Sequence, residues 1–353
     1  MAGGRIKIVD LANQLGVSTS TVSRALNNEG RMSDQTRKAI LELANKWGYK
    51  PNPFAINLLR KQSKNIGIIL PEFTHHYFSK VLDGVNKVVN EHGYHLFINV
   101  HEECHEKEVK AVGMLNNMRV DGIIASYAHS TTDFSHFLET LEDNVPVVFL
   151  DRMCEDLDAS HVLTDDFPGC VEAVTHMVQT GRKKIVHLAG PENLSTSFTR
   201  LTGYKEGMKQ NGLLVQDKYI LPVDDPTWKA RLETLILSDD VDGLLCFNDY
   251  VAFEAVQRLK HHGKSIPEDV SIIGFADEPV ATYMSPKLST VHQPAENMGR
   301  RAAELLLWHI ANPTSPKVHF ENLPTSLVLR ESTRKVQPAS NFKPIVRVLM
   351  NAS

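Results

Sequence analysis

The sequence predicts a small all-α head followed by an α/β body of two doubly wound parallel-sheet subdomains. Apolar residues in the first fifty positions recur at the three- and four-residue spacing of short helices. From residue 65 onward, short apolar runs alternate with helical patterns, as in parallel sheets whose faces are covered. The charge divides at the same place: residues 1–64 hold eleven Lys and Arg against four Asp and Glu, a balance of +7. Since the whole chain carries −4, the remainder carries −11, and only the head is expected to meet a polyanion.

Length and composition fit a protein with two or three domains, each with its own hydrophobic core. The 353 residues are 42% hydrophobic and 23% charged, which excludes the disordered and coiled-coil classes. No run of about eighteen apolar residues occurs and the first residues lack an apolar stretch, so we expect a cytoplasmic protein without membrane contact. Four widely spaced cysteines fit neither a zinc knuckle nor a disulfide framework: Cys104, Cys154, Cys170 and Cys246.

The head is predicted to hold three short helices. Four apolar residues between Ile8 and Leu15 share one helical face, and Gly16 ends that helix. Ser18 caps a second helix, and a third begins after Ser33 and ends at Gly48. Three amphipathic helices with a three-residue turn between the first two describe a helix-turn-helix DNA-binding domain.

The second helix turns a polar face outward, formed by Thr19, Ser20, Ser23, Arg24 and Asn27. Small polar residues at its start let a helix enter the major groove, and arginine can bind a guanine edge in bidentate fashion. The alternative for any single residue is a solvated helix face. A basic segment alone is also more often an ordinary cationic patch than a nucleic-acid site.

Two runs in the head carry a specific resemblance. Val17 to Asn27 (VSTSTVSRALN) and Gly48 to Leu58 (GYKPNPFAINL) closely resemble the N-terminal segment of the LacI/GalR family of bacterial transcription regulators. The resemblance implies a head over 1–50 and a hinge or linker over 51–64. It implies base contacts at Thr19, Ser20 and Arg24. It implies contacts to DNA phosphates at Ser18, Thr21, Ser23 and Asn27.

Within this resemblance, Pro51 to Leu59 is similar to a hinge helix that inserts an apolar wedge into the minor groove. Leu58 matches the wedge position, and Ala55 packs beside it. Ile56 departs from the family, whose members often carry arginine there, so the phosphate contact that this arginine would supply is not implied here. The alternative for this apolar segment is a contact between domains.

In the body, two short runs repeat: RVDGIIA at Arg119–Ala125 and DVDGLLC at Asp240–Cys246. Two doubly wound halves place the carboxyl ends of their strands at a shared cleft, where open α/β sheets bind small ligands. The predicted strands are Ile66–Leu70, Tyr94–Val100, Gly122–Ala125, Val145–Leu150, Lys184–Ala189, Gly243–Phe247 and Val270–Phe275.

The body resembles the effector domain of the same family, which is similar to type I periplasmic binding proteins. Matching runs such as GRKKIVHLAG, RLTGYKEGM and IPEDVSIIGFADEP extend the likeness to about Arg334. It implies crossings between the halves near Thr164, Ser289 and Pro324, and it places a helix over Met298–Ile310 in the first half. The implied subdomains are 65–163 with 293–324 and 164–292 with 325–336, followed by a tail of no predicted function over 337–353.

The same resemblance implies an effector site in the cleft. Ala276 stands where the family often has a ligand aspartate, so the ligand of a well-known relative cannot simply be carried over. Tyr77 and Phe78 could instead be core or dimer-contact residues, Arg200 could form an ion pair on the cleft wall, and Asp151 could cap a helix. The implied effector contacts are Tyr77, Phe78, Asp151, Arg152, Arg200, Asn248, Asp249 and Asp277.

No metal site or cofactor is predicted. His101 to Glu106 (HEECHE) has metal-ligand residue types, but its spacing matches no standard zinc pattern, and a solvated acidic helix N-terminus is the preferred interpretation. The pairs His75–His76 and His261–His262 are interpreted as surface or cleft-rim residues.

We therefore expect a sequence-specific DNA-binding regulator, acting as a repressor and controlled by a small-molecule effector, a sugar or sugar derivative. A homodimer with two heads would bind a pseudo-palindromic double-stranded operator. One alternative is an enzyme on the same fold, although no GxSxG, Walker A, GxGxxG or HExxH motif occurs. The other alternative is a free-standing small-molecule-binding protein, which would not need the head.

Overall fold

The computed structural model describes residues 6–49, 62–315 and 318–335. The chain forms two compact units, Met1–Ser63 and Lys64–Ser353. The predicted hinge residues Ala55 and Leu58 lie outside the described residues, as does the predicted tail.

The first unit contains three helices: α1 (Ile8–Leu15), α2 (Thr19–Leu26) and α3 (Asp34–Trp47). The predicted signals at their ends act as expected. The Ser18 hydroxyl oxygen accepts the Thr21 N–H, and the glycines that follow α1 and α3 are left-handed, each with φ 64°. One wholly buried side chain from each helix forms the core: Leu11, Val22 and Ile40.

The second unit contains two six-stranded sheets. The first has the order β11-β5-β4-β3-β1-β2 and the second the order β12-β10-β9-β8-β6-β7. All paired strands are parallel except β10 and β12. The strands are β1 (Asn65–Leu70), β2 (His95–Val100), β3 (Gly122–Ala125), β4 (Val147–Leu150), β5 (Ser160–Asp165), β6 (Ile185–Ala189), β7 (Ile220–Pro222), β8 (Gly243–Cys246), β9 (Ser271–Ala276), β10 (Ser289–His292), β11 (Phe320–Pro324) and β12 (Ser326–Val328).

Helices cover both faces of each sheet, which makes the body the doubly wound α/β fold that the sequence predicts. In the part of the chain that the structure describes, no helix is long and apolar enough to cross a membrane. The helices are α4 (His76–Glu91), α5 (His105–Asn117), α6 (Ser135–Glu142), α7 (Asp166–Gln179), α8 (Ser195–Gln210), α9 (Trp228–Leu237), α10 (Asp249–His261) and α11 (Ala295–Ala311).

All seven strands predicted from apolar runs are present, and each bound lies within two residues of its prediction. Five strands were not predicted because they are short or carry polar residues. In β5, for example, Ser160 is fully buried, but its hydroxyl bonds with His309 Nε2 at 2.8 Å. In β10, the buried Ser289 hydroxyl pairs with that of Thr333 at 2.9 Å. Satisfied polar side chains of this kind interrupt an apolar pattern without weakening the strand.

The chain passes between the two sheets three times. It leaves the first sheet after β5, returns through α11 after β10, and leaves again between β11 and β12. Helix α11 packs on α4 and on the first sheet, and it begins three residues before the predicted start at Met298. This sheet membership supports the predicted subdomain division, which remains a proposal.

The packing of α4 against α11 depends on two glycines. A Cβ at Gly84 would lie 2.0 Å from the Glu296 carbonyl oxygen, and one at Gly299 would lie 1.9 Å from the Val81 carbonyl oxygen. The two helix backbones therefore approach more closely than any other residue permits.

We predict that Gly299→Ala lowers the free energy of unfolding by about 1–3 kcal/mol, because its methyl group overpacks a backbone contact. Gly113→Ala on α5 is the control, since a Cβ there meets nothing within 4 Å. That change should raise the free energy by about 0.5–1 kcal/mol through helix propensity. Urea unfolding of both variants measures the difference, and equal midpoints would contradict the close-packing argument.

Candidate DNA-binding helix and effector cleft

Helix α2 presents most of the predicted DNA-contacting side chains to solvent. Thr19, Ser20 and Arg24 are exposed, whereas Ser23 and Asn27 are half-buried. The helix N-terminus carries unpaired N–H groups and a partial positive charge, which suit a phosphate. Position, polarity and dipole thus favour DNA contact on this face.

Ser18 has a structural task at the start of α2. Its Oγ accepts the Thr21 N–H at 3.1 Å and bonds with the hydroxyls of Ser20 and Thr21 at 2.8 Å each. The three hydroxyls therefore form one cluster at the helix start, so a phosphate bound there would meet all of them.

The loop after α2 is held against Arg24 in a way that the sequence analysis missed. Gly30 has φ 74°, and a Cβ there would lie 3.0 Å from Arg24 Cδ. Arg37 on α3 donates to the Gly30 carbonyl at 3.2 Å and also to the Asn28 side chain. These contacts fix the backbone beside the aliphatic part of the Arg24 side chain.

In the body, Tyr77 and Asp151 meet at the carboxyl ends of the first sheet. The Tyr77 hydroxyl donates to Asp151 Oδ1 at 2.8 Å, and both side chains are buried. Burial raises the pKa of Asp151, and burial next to this carboxylate raises the pKa of Tyr77 well above its ordinary value. Phe78 packs edge-on against Tyr77 and belongs to the core of the first half, in agreement with the alternative interpretation.

Arg200 forms the opposite wall, in the second half. Its Nε donates to Asp166 Oδ2 at 2.8 Å, and its Nη1 donates to the Phe247 carbonyl at 2.6 Å. The guanidinium carbon also lies 3.9 Å from the ring centre of Phe275. Arg200 thus forms the cleft-wall ion pair that was the alternative to ligand contact, and two hydrogen bonds and an aromatic ring hold its guanidinium in place.

Asp166 and Gln293 belong to this wall, and the sequence analysis missed both. Gln293 Nε2 donates to the Thr164 hydroxyl at 2.9 Å, and the same hydroxyl donates to Asp166 Oδ1 at 2.6 Å. The sequence could have indicated Asp166, because it is an acidic residue that begins a helix after an apolar run. No sequence pattern around Gln293 indicates its role.

Arg152 lies behind the wall of the first half. Its Nη2 and Nη1 donate to the two carboxylate oxygens of Glu103 at 2.6 and 2.9 Å, and Nη1 also donates to the Tyr127 carbonyl. Its Nε lies 3.8 Å from Asp151 Oδ2, beyond hydrogen-bond distance. Glu103 in turn accepts the His129 N–H at 2.7 Å.

This network corrects the interpretation of His101–Glu106 as a solvated helix start. His101 is fully buried, with its Nε2 2.8 Å from the Ser126 carbonyl oxygen, and Glu103 is bound to Arg152. Glu102 and Glu106 are exposed as predicted, whereas His101 and Glu103 form a polar wall behind the cleft. Periodicity could not reveal this, because the partners lie 25 to 49 residues away in sequence.

Glu278 connects the two halves of the body. Its carboxylate accepts the backbone N–H groups of His76 and Tyr77 at 3.1 Å each, at the start of α4. Its own N–H donates to Asp249 Oδ2 at 2.7 Å. Beside this bridge, the rings of His75 and Tyr250 stack with centres 4.0 Å apart. His75 therefore lies at the contact between the halves.

The remaining predicted effector residues are used within the second half. Asn248 caps α10 by accepting the Val251 N–H at 2.9 Å, and Asp249 is fully buried. Asp277 accepts from Arg330 Nη2 at 2.6 Å and lies 3.2 Å from His292 Nδ1. These three contacts lie within the second half.

A shallow cavity of about 550 Å³, largely open to solvent, lies between the halves next to this network. Its volume is in the range of small-molecule sites. The first half contributes His129, and the second contributes Glu192, Asn193, Pro222, Asp224 and Asp225. None of the eight predicted effector residues, all of which the structure describes, lines this cavity. The cavity is linked to the predicted residue Arg152 by hydrogen bonds, because Glu103 accepts from both the His129 N–H and Arg152.

Comparisons with known proteins agree with both units. Residues 7–52 match the description "Bacterial regulatory proteins, lacI family", and residues 174–333 match "Periplasmic binding protein-like domain". The chain is 32% identical over 339 residues to the probable HTH-type transcriptional repressor ExuR of Bacillus subtilis, covering 94% of this chain and 99% of that protein. It is also 32% identical to the ribose operon repressor of Bacillus subtilis, with 93% and 98% covered.

Solved structures show the same architecture. A transcriptional regulator CelR–cellobiose complex is 26% identical with a TM-score of 0.69, covering 93% of this chain and all of that one. A lac repressor dimer bound to operator and the anti-inducer ONPF is 24% identical with a TM-score of 0.79, covering 94% and 99%, and supports the fold.

A helix-turn-helix head joined to a two-sheet body with a polar cleft defines a ligand-controlled, DNA-binding transcriptional regulator. The chain belongs to the LacI family of bacterial regulatory proteins.

Asp249 gives a pH-dependent prediction. Burial raises its pKa from 3.8 to about 7, so between these values the folded protein holds a proton that the unfolded chain has lost. The free energy of unfolding therefore falls as pH rises towards 7. We predict that the unfolding free energy of Asp249→Asn lacks this fall. Between pH 5 and pH 8, the difference in unfolding free energy between the variant and the native protein should therefore change by about 2–3 kcal/mol in favour of the variant.

Urea unfolding of both proteins at several pH values gives this difference. Burial lowers the pKa of His161 and His187 to about 4, and their opposite slopes cancel because both proteins carry them. A constant difference between the two proteins across the range would contradict a raised pKa at Asp249.

Proposed function

We propose that the protein is a homodimeric repressor that binds a pseudo-palindromic operator and responds to a sugar-like effector in the cleft of its body. Relatives named as repressors, aligned over more than nine-tenths of this chain, support the repressor assignment. A dimer has two heads related by a two-fold axis, and these require two half-sites with the same symmetry. Such a regulator works in the cytoplasm, where bacterial DNA lies.

In the head, we propose that the exposed groups of α2 divide into two roles. Thr19, Ser20 and Arg24 read base edges. The groups near the helix start and end position the backbone by contacting phosphates. These phosphate contacts are Ser18, Thr21, Ser23 and Asn27. Leu58 and Ala55 keep their predicted role as the minor-groove wedge.

We predict that Arg24→Ala weakens the preference for one base pair in each half-site by about 1–3 kcal/mol. Lys46→Ala is the control, since Lys46 is an exposed cation in the last turn of α3 rather than on α2. It should alter affinity and salt dependence without changing base preference. Selection from a randomised operator library reports both outcomes, and an unchanged preference in Arg24→Ala would remove Arg24 from the readers.

In the body, the observation that carries the effector proposal is a set of buried polar atoms left without partners. Among the described residues, the Ser126 hydroxyl, the Ser197 hydroxyl and Arg152 Nε have none. Ser126 follows β3 and Ser197 lies in the first turn of α8 after β6, so both sheets contribute at their carboxyl ends. A buried unpaired polar group costs about 1–3 kcal/mol, which a ligand rich in hydroxyls recovers.

The charge of the cleft favours a neutral ligand within the sugar class. The cavity carries Glu192, Asp224 and Asp225, and both arginines of the adjoining walls are already paired with carboxylates. An anionic ligand would meet like charges there, whereas neutral hydroxyl groups can donate to the carboxylates. We propose a neutral sugar rather than a sugar phosphate or a uronate.

A thermal-shift screen of the protein against neutral sugars, sugar phosphates, uronates and nucleobases tests the ligand class. We expect the midpoint to rise only with neutral sugars. A rise with a uronate or phosphate alone would contradict the charge argument but not the cleft site. We also propose binding without catalysis, and recovery of the ligand unchanged after incubation is the expected result.

We predict that Arg200→Lys lowers affinity for the ligand so found by about 10- to 100-fold. Lysine keeps the charge but loses the planar fork that bonds Asp166 and the Phe247 carbonyl. Arg182→Lys is the control: Arg182 is also buried and bonds to Ser271, but it precedes the amino-terminal end of β6, away from the carboxyl ends that form the cleft. Calorimetry on both variants decides, and equal losses of affinity would contradict a role for Arg200 in the cleft.

A further inference from the structure

Two imidazoles and one carboxylate meet where α5 and α6 begin, outside the cleft residues. His105 and Glu108 lie one turn apart on α5, and His136 is the second residue of α6. One nitrogen or oxygen atom from each lies within 4.8 Å of the others. The proposed DNA and effector sites use none of the three.

The charge of Glu108 is the feature that needs an explanation. Glu108 is fully buried and accepts from the Ala128 N–H at 2.5 Å, the Thr131 hydroxyl at 2.8 Å and His136 Nε2 at 2.9 Å. In the part of the chain that the structure describes, no Lys or Arg forms an ion pair with it. An ionised carboxylate taken out of water is costly unless a cation balances it.

The ring of His136 brings a ligand atom to the same place. Its Nε2 lies 2.9 Å from Glu108 Oε1, and both side chains are buried. A metal cation held by Nε2 and Glu108 would supply the positive charge that no Lys or Arg of the described residues provides.

The ligand types select the kind of metal. Two imidazole nitrogens with one carboxylate oxygen suit zinc and similar divalent transition ions, whereas magnesium and calcium prefer oxygen ligands alone. Three protein ligands leave a fourth position for water. His105 is half-buried, so the cluster can be reached from solvent, and its Nδ1 lies 3.3 Å from the Thr131 hydroxyl.

We propose that His105, Glu108 and His136 form a binding site for a zinc-class divalent cation. The cation takes the place of the hydrogen bond between His136 Nε2 and Glu108, and the neutral ring then carries its proton on Nδ1. Because Glu108 also holds the Ala128 N–H, the bound cation anchors the loop that carries His129 into the cavity between the halves.

The first test uses the full-length protein after chelator treatment and dialysis. Titration with Zn²⁺ against a chromophoric chelator should give one saturable equivalent. Co²⁺ should give the intense visible bands of a four-coordinate ion. Zinc at about 100 times its dissociation constant should raise Tm by about 5 °C.

Variants assign the site. His105→Gln and His136→Gln should each lower zinc affinity at least tenfold, and glutamine at 136 can still donate to Glu108. His261→Gln is the control, because His261 and His262 form another histidine pair outside the cluster. It should leave the affinity unchanged.

The absence of a saturable equivalent in the native protein would overturn the proposal, and so would native affinity in His105→Gln. The second outcome stays decisive even when the buried His136 variant fails to fold, because His105 is partly exposed and opens α5. Neither result depends on operator or sugar binding, so the DNA and effector proposals stand or fall separately.

Discussion

The bridge made by Glu278 is the contact on which the cleft depends. One carboxylate from the second half accepts two N–H groups at the start of α4 in the first half, where the helix dipole favours negative charge. The side chain is 3% exposed, so water can replace these bonds only when the halves separate. Tyr77 with Asp151 lies in one half and Arg200 with Asp166 in the other, so the bridge holds these two pairs opposite each other across the cleft. Opening the cleft exchanges this buried, charge-assisted contact for hydration of both partners.

The bridge also limits the groups that can compensate for Ala276. Many family members place a ligand aspartate at this position, and either Asp277 or Glu278 could be thought to replace it. Asp277 instead pairs with Arg330 and His292, and Glu278 is used between the halves. Both carboxylates are therefore already engaged, so recognition of the proposed effector falls on the unpaired Ser126 and Ser197 hydroxyls and Arg152 Nε, on walls that Tyr77 and Arg200 hold in place.

The sequence predicts features that depend on local chemistry and misses those that depend on distant partners. Serine caps and terminal glycines act within four residues, so the ends of α1, α2 and α3 could be read directly. Apolar runs revealed seven strands because their side chains are buried on both sheet faces. The wall around Arg200 joins segments more than one hundred residues apart, as Gln293 and Thr164 illustrate, and no pattern along the chain records that pairing. The family resemblance named Arg200, but only coordinates show that Asp166 holds it.

A ligand can control DNA binding only by favouring one arrangement of the halves over the other. In this structure the halves already share the Glu278 bridge and the stacked rings of His75 and Tyr250. A neutral ligand that pairs the free hydroxyls of both walls adds to closure, because it bonds to both halves at once. A ligand that bonds to one wall alone gains nothing from closure. Such a ligand competes with the contacts that hold the two halves together. Coupling of about 1–3 kcal/mol is enough for regulation, and the pairing of a few buried hydroxyls supplies that amount. Whether the effector favours closure therefore depends on whether it reaches both Ser126 and Ser197.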